Sequence, residues 1–510
     1  MKQHDISCPG LKIALCVPVV RLGDVRANAD ALVAMAEEAA AHGASVLYFP
    51  QDALTGATLG ALAAHEPVRR QLANARRRLA RLERRLGVLV EWGSADPACV
   101  TRYERRKEAA LAYSADRACC VVYCNAGFGE STADAVYDGA AFVVENGKLL
   151  AEAERFCLAA QILYAEVRLP LIPCEKAFAA AFRALPDLNS PRPFIPDDAA
   201  QRAQRCAEIF QIQVMGLVSR MVHIGCRKVV LGVSGGLDST LALLVCCKAF
   251  DRMGLPRRDI LAVTMPGFGT TSRTKGNASA LMEALGTTAR EVDIRASVSL
   301  HFRDIGYDAE RRDVTFENAQ ARERTQILMD MANDAGGLVV GTGDLSEIAL
   351  GWCTYNGDHM AMYGVNAGVP KTLMQWMVRR AAETDFPEAG PILRDIVDTP
   401  ISPELLPGVQ PTESLVGPYL LHDYFLFRFV HEGEGPAQIR ASARQAFSGI
   451  CDADTIDRWL RVFVRRFLTQ QFKRSCAPDA PAVGSVSLSA RGGFPFPSDV
   501  SASPWLSDLD

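Results

Sequence analysis

No run of 18 or more apolar residues occurs in the 510-residue sequence, so no segment is long and apolar enough to cross a bilayer as a helix. Excess charge of one sign is lacking too. Lysine and arginine number 55 against 59 aspartates and glutamates, a net charge of −4. Dedicated nucleic-acid binders are normally basic, so that class is disfavoured. None of the fifteen cysteines forms a Cys-x-x-Cys pair, and no zinc-ligand spacing occurs. They stand singly or as the adjacent pairs Cys119–Cys120 and Cys246–Cys247, largely inside apolar runs, which reads as reduced thiols in the cytoplasm. The opening MKQHDISCPGLKIALCVPVV reaches charged residues too soon for a signal peptide with a cleavage site. Internal repeats are absent.

What is present is globular composition, 49% hydrophobic and 22% charged. At about 100–200 residues per domain, the length predicts two to four domains. LKIALCVPVV, NADALVAMAEEAAAHG and ASVLYFP read as strand, helix and strand, with Gly43 ending the helix in a left-handed turn. From about Val68 to Arg85 a strongly basic helix carries an apolar stripe at Leu72, Leu79, Leu82 and Leu86. It reads as a solvated face, because no aromatic residue interleaves the arginines as in a nucleic-acid surface. Asn146-Gly147 predicts a hairpin turn between two strands. Residues 186–198 hold four prolines in thirteen residues and are taken as a linker, between an N-terminal domain at 1–185 and a C-terminal one at 199–510. Beyond the linker, strands alternate with helices, which predicts an α/β fold with a parallel, doubly wound sheet.

The most informative stretch is VVLGVSGGLDST, Val229 to Thr240. An apolar strand runs directly into Ser234-Gly235-Gly236 and then a helix, a turn that brings backbone N–H groups against an anion. Ser239 and Thr240 add hydroxyl donors. No lysine sits in the loop, so it is not a Walker A motif. The motif resembles the PP-loop of ATP pyrophosphatases. ENAQARERTQILMDMAN, GLVVGTGDLSEIALGWCTYNGDHMAMYGVNAGVPKTL, TPISPEL, QPTESLVGPYLLHDYFL and the tail QFKRSCAPDAPAVGSVSLSARGGFPFPSDV resemble the NAD synthetase family, in its long glutamine-dependent bacterial form. The resemblance implies ATP as substrate, magnesium, and adenylation of nicotinic acid adenine dinucleotide before amidation by ammonia. It implies an ATP site at Ser234, Gly235, Gly236, Asp238, Ser239, Thr240 and Thr342. Asp238 and Glu347, just beyond parallel strand ends, offer the hard oxygens magnesium needs. Lys371 can neutralise phosphate charge, and with Asp238 and Thr342 forms the expected catalytic set. Arg322, Arg324, Asp358, Lys371, Lys473 and Arg474 are the expected dinucleotide contacts. Cys353 reads as core. A homodimer or larger homo-oligomer is expected from the same resemblance.

Residues 11–160 resemble a nitrilase-like glutaminase domain, an α/β sandwich that hydrolyses glutamine with a Glu base, an oxyanion-stabilising Lys and a Cys nucleophile. Here Gln51 stands at the base position, and a carboxamide cannot accept the thiol proton. Between Gln51 and Asn125 the only lysine is Lys107, and no Cys-Glu-Asp occurs; Cys174-Glu175-Lys176 is a partial echo after the last strand. The chain passes from GVLVEW straight to SADPACVTRYERR, so the lysine loop and cysteine strand are both missing. The expectation is a shortened, degenerate glutaminase domain and an ammonia-dependent synthetase, supplied with free ammonia or by a separate glutaminase. The alternatives are glutamine hydrolysis through Cys99 or Cys124, a related PP-loop ligase for another acid, and a nucleotide-binding pseudoenzyme.

Overall fold

The computed structural model describes residues 10–178, 190–399, 405–406 and 412–510. Residues 186–189 of the proline-rich stretch, 400–404 of TPISPEL, and Gln410-Pro411 lie outside the described residues. The chain divides into two compact units, Met1–Ser131 with Ala135–Leu185, and Thr132–Asp134 with Pro186–Asp510. No helix among the described residues is long and apolar enough to cross a membrane.

The first unit holds two four-stranded sheets. Its strands are β1 (Leu11–Val17), β2 (Val46–Phe49), β3 (Leu89–Trp92), β4 (Cys120–Cys124), β5 (Ala141–Glu145), β6 (Lys148–Glu152), β7 (Gln161–Val167) and β8 (Leu171–Pro173). One sheet runs β3-β2-β1-β7 and the other β6-β5-β4-β8. Side chains on a strand alternate between faces, which divides β1 cleanly. Ile13, Leu15 and Val17 meet Cys120, Val122, Ala141 and Val143 between the sheets. Ala14 and Cys16 point the other way, into the helices Val25–Ala41 and Glu66–Leu86. On the second sheet Val121, Tyr123, Phe142 and Val144 meet Tyr103 and Ala110 of the helix Arg102–Arg117. The result is the expected α/β sandwich. The basic helix buries Leu79 and Leu82, while Arg78 and Arg85 pair outward with Asp30 and Glu37. Asn146 and Gly147, both at positive φ, close the β5–β6 hairpin as its twist requires.

The second unit is built on a wholly parallel five-stranded sheet. Its strands are β9 (Val229–Gly232), β10 (Ile260–Thr264), β11 (Thr288–Glu291), β12 (Leu338–Gly341) and β13 (Tyr363–Gly364), in the order β11-β10-β9-β12-β13. The chain steps outward one way from β9 to β11, then returns to lay β12 on the other side of β9. Strand order therefore reverses between β9 and β12, which opens a crevice at their C-terminal ends. An aromatic core including Tyr424, Phe425, Phe463 and Phe467 joins the helices Tyr419–Leu426 and Ala453–Thr469 to Leu345, Ala349 and Leu350. That packing fixes the short helix Leu345–Leu350 beside the crevice.

Candidate functional site

The loop after β9 turns at Gly235, whose φ of +85° favours glycine. A Cβ there would lie 2.1 Å from the Thr274 carbonyl oxygen. Gly236 caps the 17-residue helix Leu237–Met253 with no side-chain acceptor on its first N–H groups. Ser234 Oγ accepts from Gly236 N–H and lies 3.2 Å from Ser239 Oγ, so the two hydroxyls shape the loop from inside. Thr240 is wholly buried beneath it. This leaves backbone N–H groups and the helix N-terminus as the groups able to face an anion.

Across the switch point, four charged groups converge. Lys371, 1% exposed, places Nζ 2.6 Å from Asp238 Oδ1, 2.6 Å from Asp344 Oδ2 and 3.0 Å from Glu347 Oε1. Lys371 opens the helix Lys371–Glu383 after Pro370, and its Nζ also lies 5.4 Å from the centre of the Tyr419 ring. Burial works against the ammonium, yet the three carboxylates outweigh it and hold Lys371 well above the usual lysine range. Burial likewise pushes Asp344 well up and Glu347 up to about 7, with Lys371 opposing both shifts.

Asp344 was not among the residues expected from sequence. It caps the helix that carries Glu347, its Oδ1 accepting from Glu347 N–H at 2.8 Å, while its second oxygen faces Lys371. Asn366 is a second such residue. Fully buried, it donates to the carbonyls of Asp238 at 2.9 Å and Thr342 at 3.1 Å, tying together the two sides of the crevice. Asp423 is a third: it accepts from Thr372 N–H and from the hydroxyls of Thr372 and Ser346, and Ser346 Oγ accepts from Lys371 N–H. The signals that could have found the first two are the Asp of Gly-Thr-Gly-Asp at a helix start and the Asn of Asn-Ala-Gly-Val-Pro-Lys.

The remaining expected residues fall into two groups. Arg324 donates to the Met265 carbonyl at 3.0 Å, and its guanidinium fills the space where a Cβ on Gly267 would sit. Arg322 is exposed and donates to the Tyr355 carbonyl at 3.3 Å. Asp358 accepts from Thr354 N–H at 2.6 Å, and Lys473 donates to the carbonyls of Gly351 and Cys353 at 2.7 and 2.6 Å. Arg322, Asp358 and Lys473 thus gather on the segment 351–358, while Arg324 lies beside Met265 and Gly267. Arg474 does not reach an open surface. It is 2% exposed and donates to the carbonyls of Ile348 and Ala349, closing the C-terminal end of the Glu347 helix. Cys353 is half-buried, and burial pushes its thiol up to about 12.

In the first unit, Gln51 is exposed and lines a cavity of about 410 Å³ with Leu54, Leu72, Arg76, Leu79 and Trp92. Lys107 pairs with Glu152 at 2.9 Å, and it is not among the residues lining the cavity. Cys124 is buried, and its thiol is held well above the usual range, chiefly by desolvation. Cys99 is half-buried.

Comparison with known proteins adds the following. The NAD synthase family model matches residues 209–454. The glutamine-dependent NAD(+) synthetase of Mycobacterium leprae is 41% identical over 476 residues, covering 82% of this chain and 70% of that protein. The alignment is longer than the part of this chain it uses, 82% of 510 residues, so the relative carries stretches this chain omits. The corresponding protein of Acinetobacter baylyi is 26% identical over 379 residues, covering 74% of this chain and 62% of that one. In structure, the glutamine-dependent NAD(+) synthetase of Cytophaga hutchinsonii matches with a TM-score of 0.79 at 15% identity, over 98% of this chain and 100% of that one. The Acinetobacter baumannii enzyme in complex with ADP matches at 0.62 and 20% identity, over 96% and 98%. These two share the fold.

Proposed function

This chain belongs to the family of glutamine-dependent NAD synthetases, and from that premise we propose that it is an ATP-dependent ligase that makes NAD from nicotinic acid adenine dinucleotide with ammonia. The nicotinate carboxylate attacks the α-phosphorus of ATP, pyrophosphate leaves, and ammonia displaces AMP from the acyl adenylate. The observation that carries this reading is the Lys371 ammonium held among Asp238, Asp344 and Glu347 at the switch point, beside the Ser234–Gly236 loop. A cation there opposes the charge that builds where two anions meet. The loop and Thr342 hold ATP in this reading, Arg322, Arg324, Asp358 and Lys473 face the dinucleotide, and Arg474 is a positioning residue.

The donor set fits magnesium. Three carboxylate oxygens lie within 4.8 Å of one another, close enough to share one cation. Asp238 and Glu347 keep 25% and 22% of their side chains exposed, whereas Asp344 is wholly buried against Lys371. Asp238 and Glu347 would therefore hold the metal, which supplies neutralisation of phosphate charge when bound.

Ammonia rather than glutamine is supported by Gln51 at the position of the base, and by the buried, protonated state that desolvation imposes on Cys124. Glutamine as donor is the second reading, favoured by the names of the relatives; it requires a nucleophile at Cys99 or Cys124. A homodimer or larger homo-oligomer remains the expected assembly. No disulfide joins any of the fourteen described cysteines, which supports a reducing, cytoplasmic setting. The test is NAD formation by the purified chain with ATP, magnesium and nicotinic acid adenine dinucleotide, run with ammonium and with glutamine. Product with ammonium alone is expected. Equal rates with glutamine would overturn the ammonia assignment, and no product in either would overturn the substrate.

A further inference from the structure

Cys476 is the one exposed cysteine among the described residues, the others being buried or half-buried, and it lies just beyond the helix Gln471–Arg474. Its Sγ lies 3.5 Å from His359 Nε2, and 3.4 and 3.7 Å from the carbonyl oxygens of Lys473 and Phe472. The carbonyls stand one helical turn back and accept a hydrogen bond, but they cannot take up a proton. An imidazole nitrogen can. His359 Nδ1 lies 3.0 Å from the Thr354 carbonyl, which only accepts, so Nδ1 carries the hydrogen and Nε2 turns its lone pair to the thiol. Tyr355 stacks on the imidazole at 5.4 Å and 26°, Phe472 packs against Tyr355, and the Tyr355 hydroxyl bonds to Cys476. Burial, aided by the Lys473 charge and opposed by the Thr354 hydrogen bond, keeps His359 below its ordinary range and so neutral at pH 7. A nucleophile, a neutral base and a group that orients the base are the arrangement that activates cysteines. Cys353, six residues before His359, lacks it.

We propose that Cys476 and His359 form a reactive thiol site that takes up low-molecular-weight disulfides as a mixed disulfide. His359 Nε2 accepts the Sγ proton, and the thiolate attacks one sulfur of the disulfide. The bond between Cys476 and that sulfur forms as the reagent's S–S bond breaks, and the departing thiolate takes the proton from His359. No other oxidant is needed. The adduct on Cys476 sits beside the segment 354–359, where Asp358 and the Tyr355 partner of Arg322 also lie. The site goes beyond the synthetase reading and stands without it.

The test treats the folded full chain at pH 7 with glutathione disulfide and follows each cysteine by peptide mass spectrometry. A free peptide spanning Lys473–Ala480 supplies the unactivated rate with the same neighbours. Cys476 in the protein is expected to react about ten-fold or more faster than in the peptide, within what a positioned general base supplies. In His359→Gln the rate falls to that of the peptide, while Cys226 and Cys451, half-buried, react as before and report an intact fold. Reaction of wild-type Cys476 at the peptide's rate overturns the proposal, as does a lead that survives His359→Gln. Should His359→Gln fail to fold, the wild-type comparison decides alone.

Discussion

At 1% exposure the Lys371 ammonium has no water to fall back on and depends on Asp238, Asp344 and Glu347 for its charge to be tolerated. The dependence is mutual. Lys371→Met leaves three carboxylates crowded without a counter-charge, and we expect a stability loss of about 3–5 kcal/mol in urea unfolding. Pyrophosphate release falls by about 10²-fold or more in the same variant. Three of these four residues were legible in the sequence because they sit in recognisable motifs. Asp344 was not, since an Asp before Leu-Ser-Glu reads as a helix cap, and only the fold shows where its second oxygen points. His422 carries the clearest pH dependence. Buried against Phe463 and Trp459, it donates from Nε2 to the Val416 carbonyl, and desolvation lowers its pKa to about 4. A base with a lowered folded pKa takes up its proton first in the unfolded chain. Stability is therefore full above pH 6.5 and lost as pH falls from 6.5 towards 4, by up to about 3 kcal/mol. Chemical denaturation at pH 7 and pH 4.5 should show that loss in the wild type and a smaller one in His422→Phe.

The elements divide the labour by length. The helix Leu237–Met253 supplies 17 residues of aligned peptide dipoles to the loop before it, whereas the helix Leu345–Leu350 has only six and is held by others. Asp344 caps its start, Arg474 closes its end, and the aromatic core packs its buried face. The loop Ser234–Gly236 has no room for a side chain at Gly235. Gly235→Ala sets a Cβ against the Thr274 carbonyl at a positive φ, so the loop must move. We expect pyrophosphate release to fall by about 10²-fold and stability by about 1–3 kcal/mol, the range for a strained backbone position. A kinetic assay and a thermal melt check this together; near-wild-type turnover would show that the loop does not hold the phosphates. The glycine was legible because a strand running into Ser-Gly-Gly demands a tight turn. The interior position of Thr240 was not, because a hydroxyl on a helix can face either way.

For the whole molecule, the difference between the two halves is chemical. One keeps a buried ion cluster at a sheet edge; the other keeps its sandwich core but carries Gln51 where its resemblance calls for a base. Gln51→Glu is therefore expected to leave glutamine inert as a nitrogen donor, since desolvation holds the Cys124 thiol protonated and a restored carboxylate does not change that burial. Ammonia release from glutamine by this variant would show a hidden nucleophile. The alternation of strands and helices, the Ser-Gly-Gly turn, the Asn-Gly hairpin and the change at Gln51 were determined by the sequence alone, because each is a property of consecutive residues and their backbone preferences. Only the tertiary structure decided that Asp238 meets Lys371 across 133 positions, that Arg474 turns inward to close a helix, and that Cys476 lies beside His359. Those distances depend on how separate elements pack against one another, and no short run of residues encodes them.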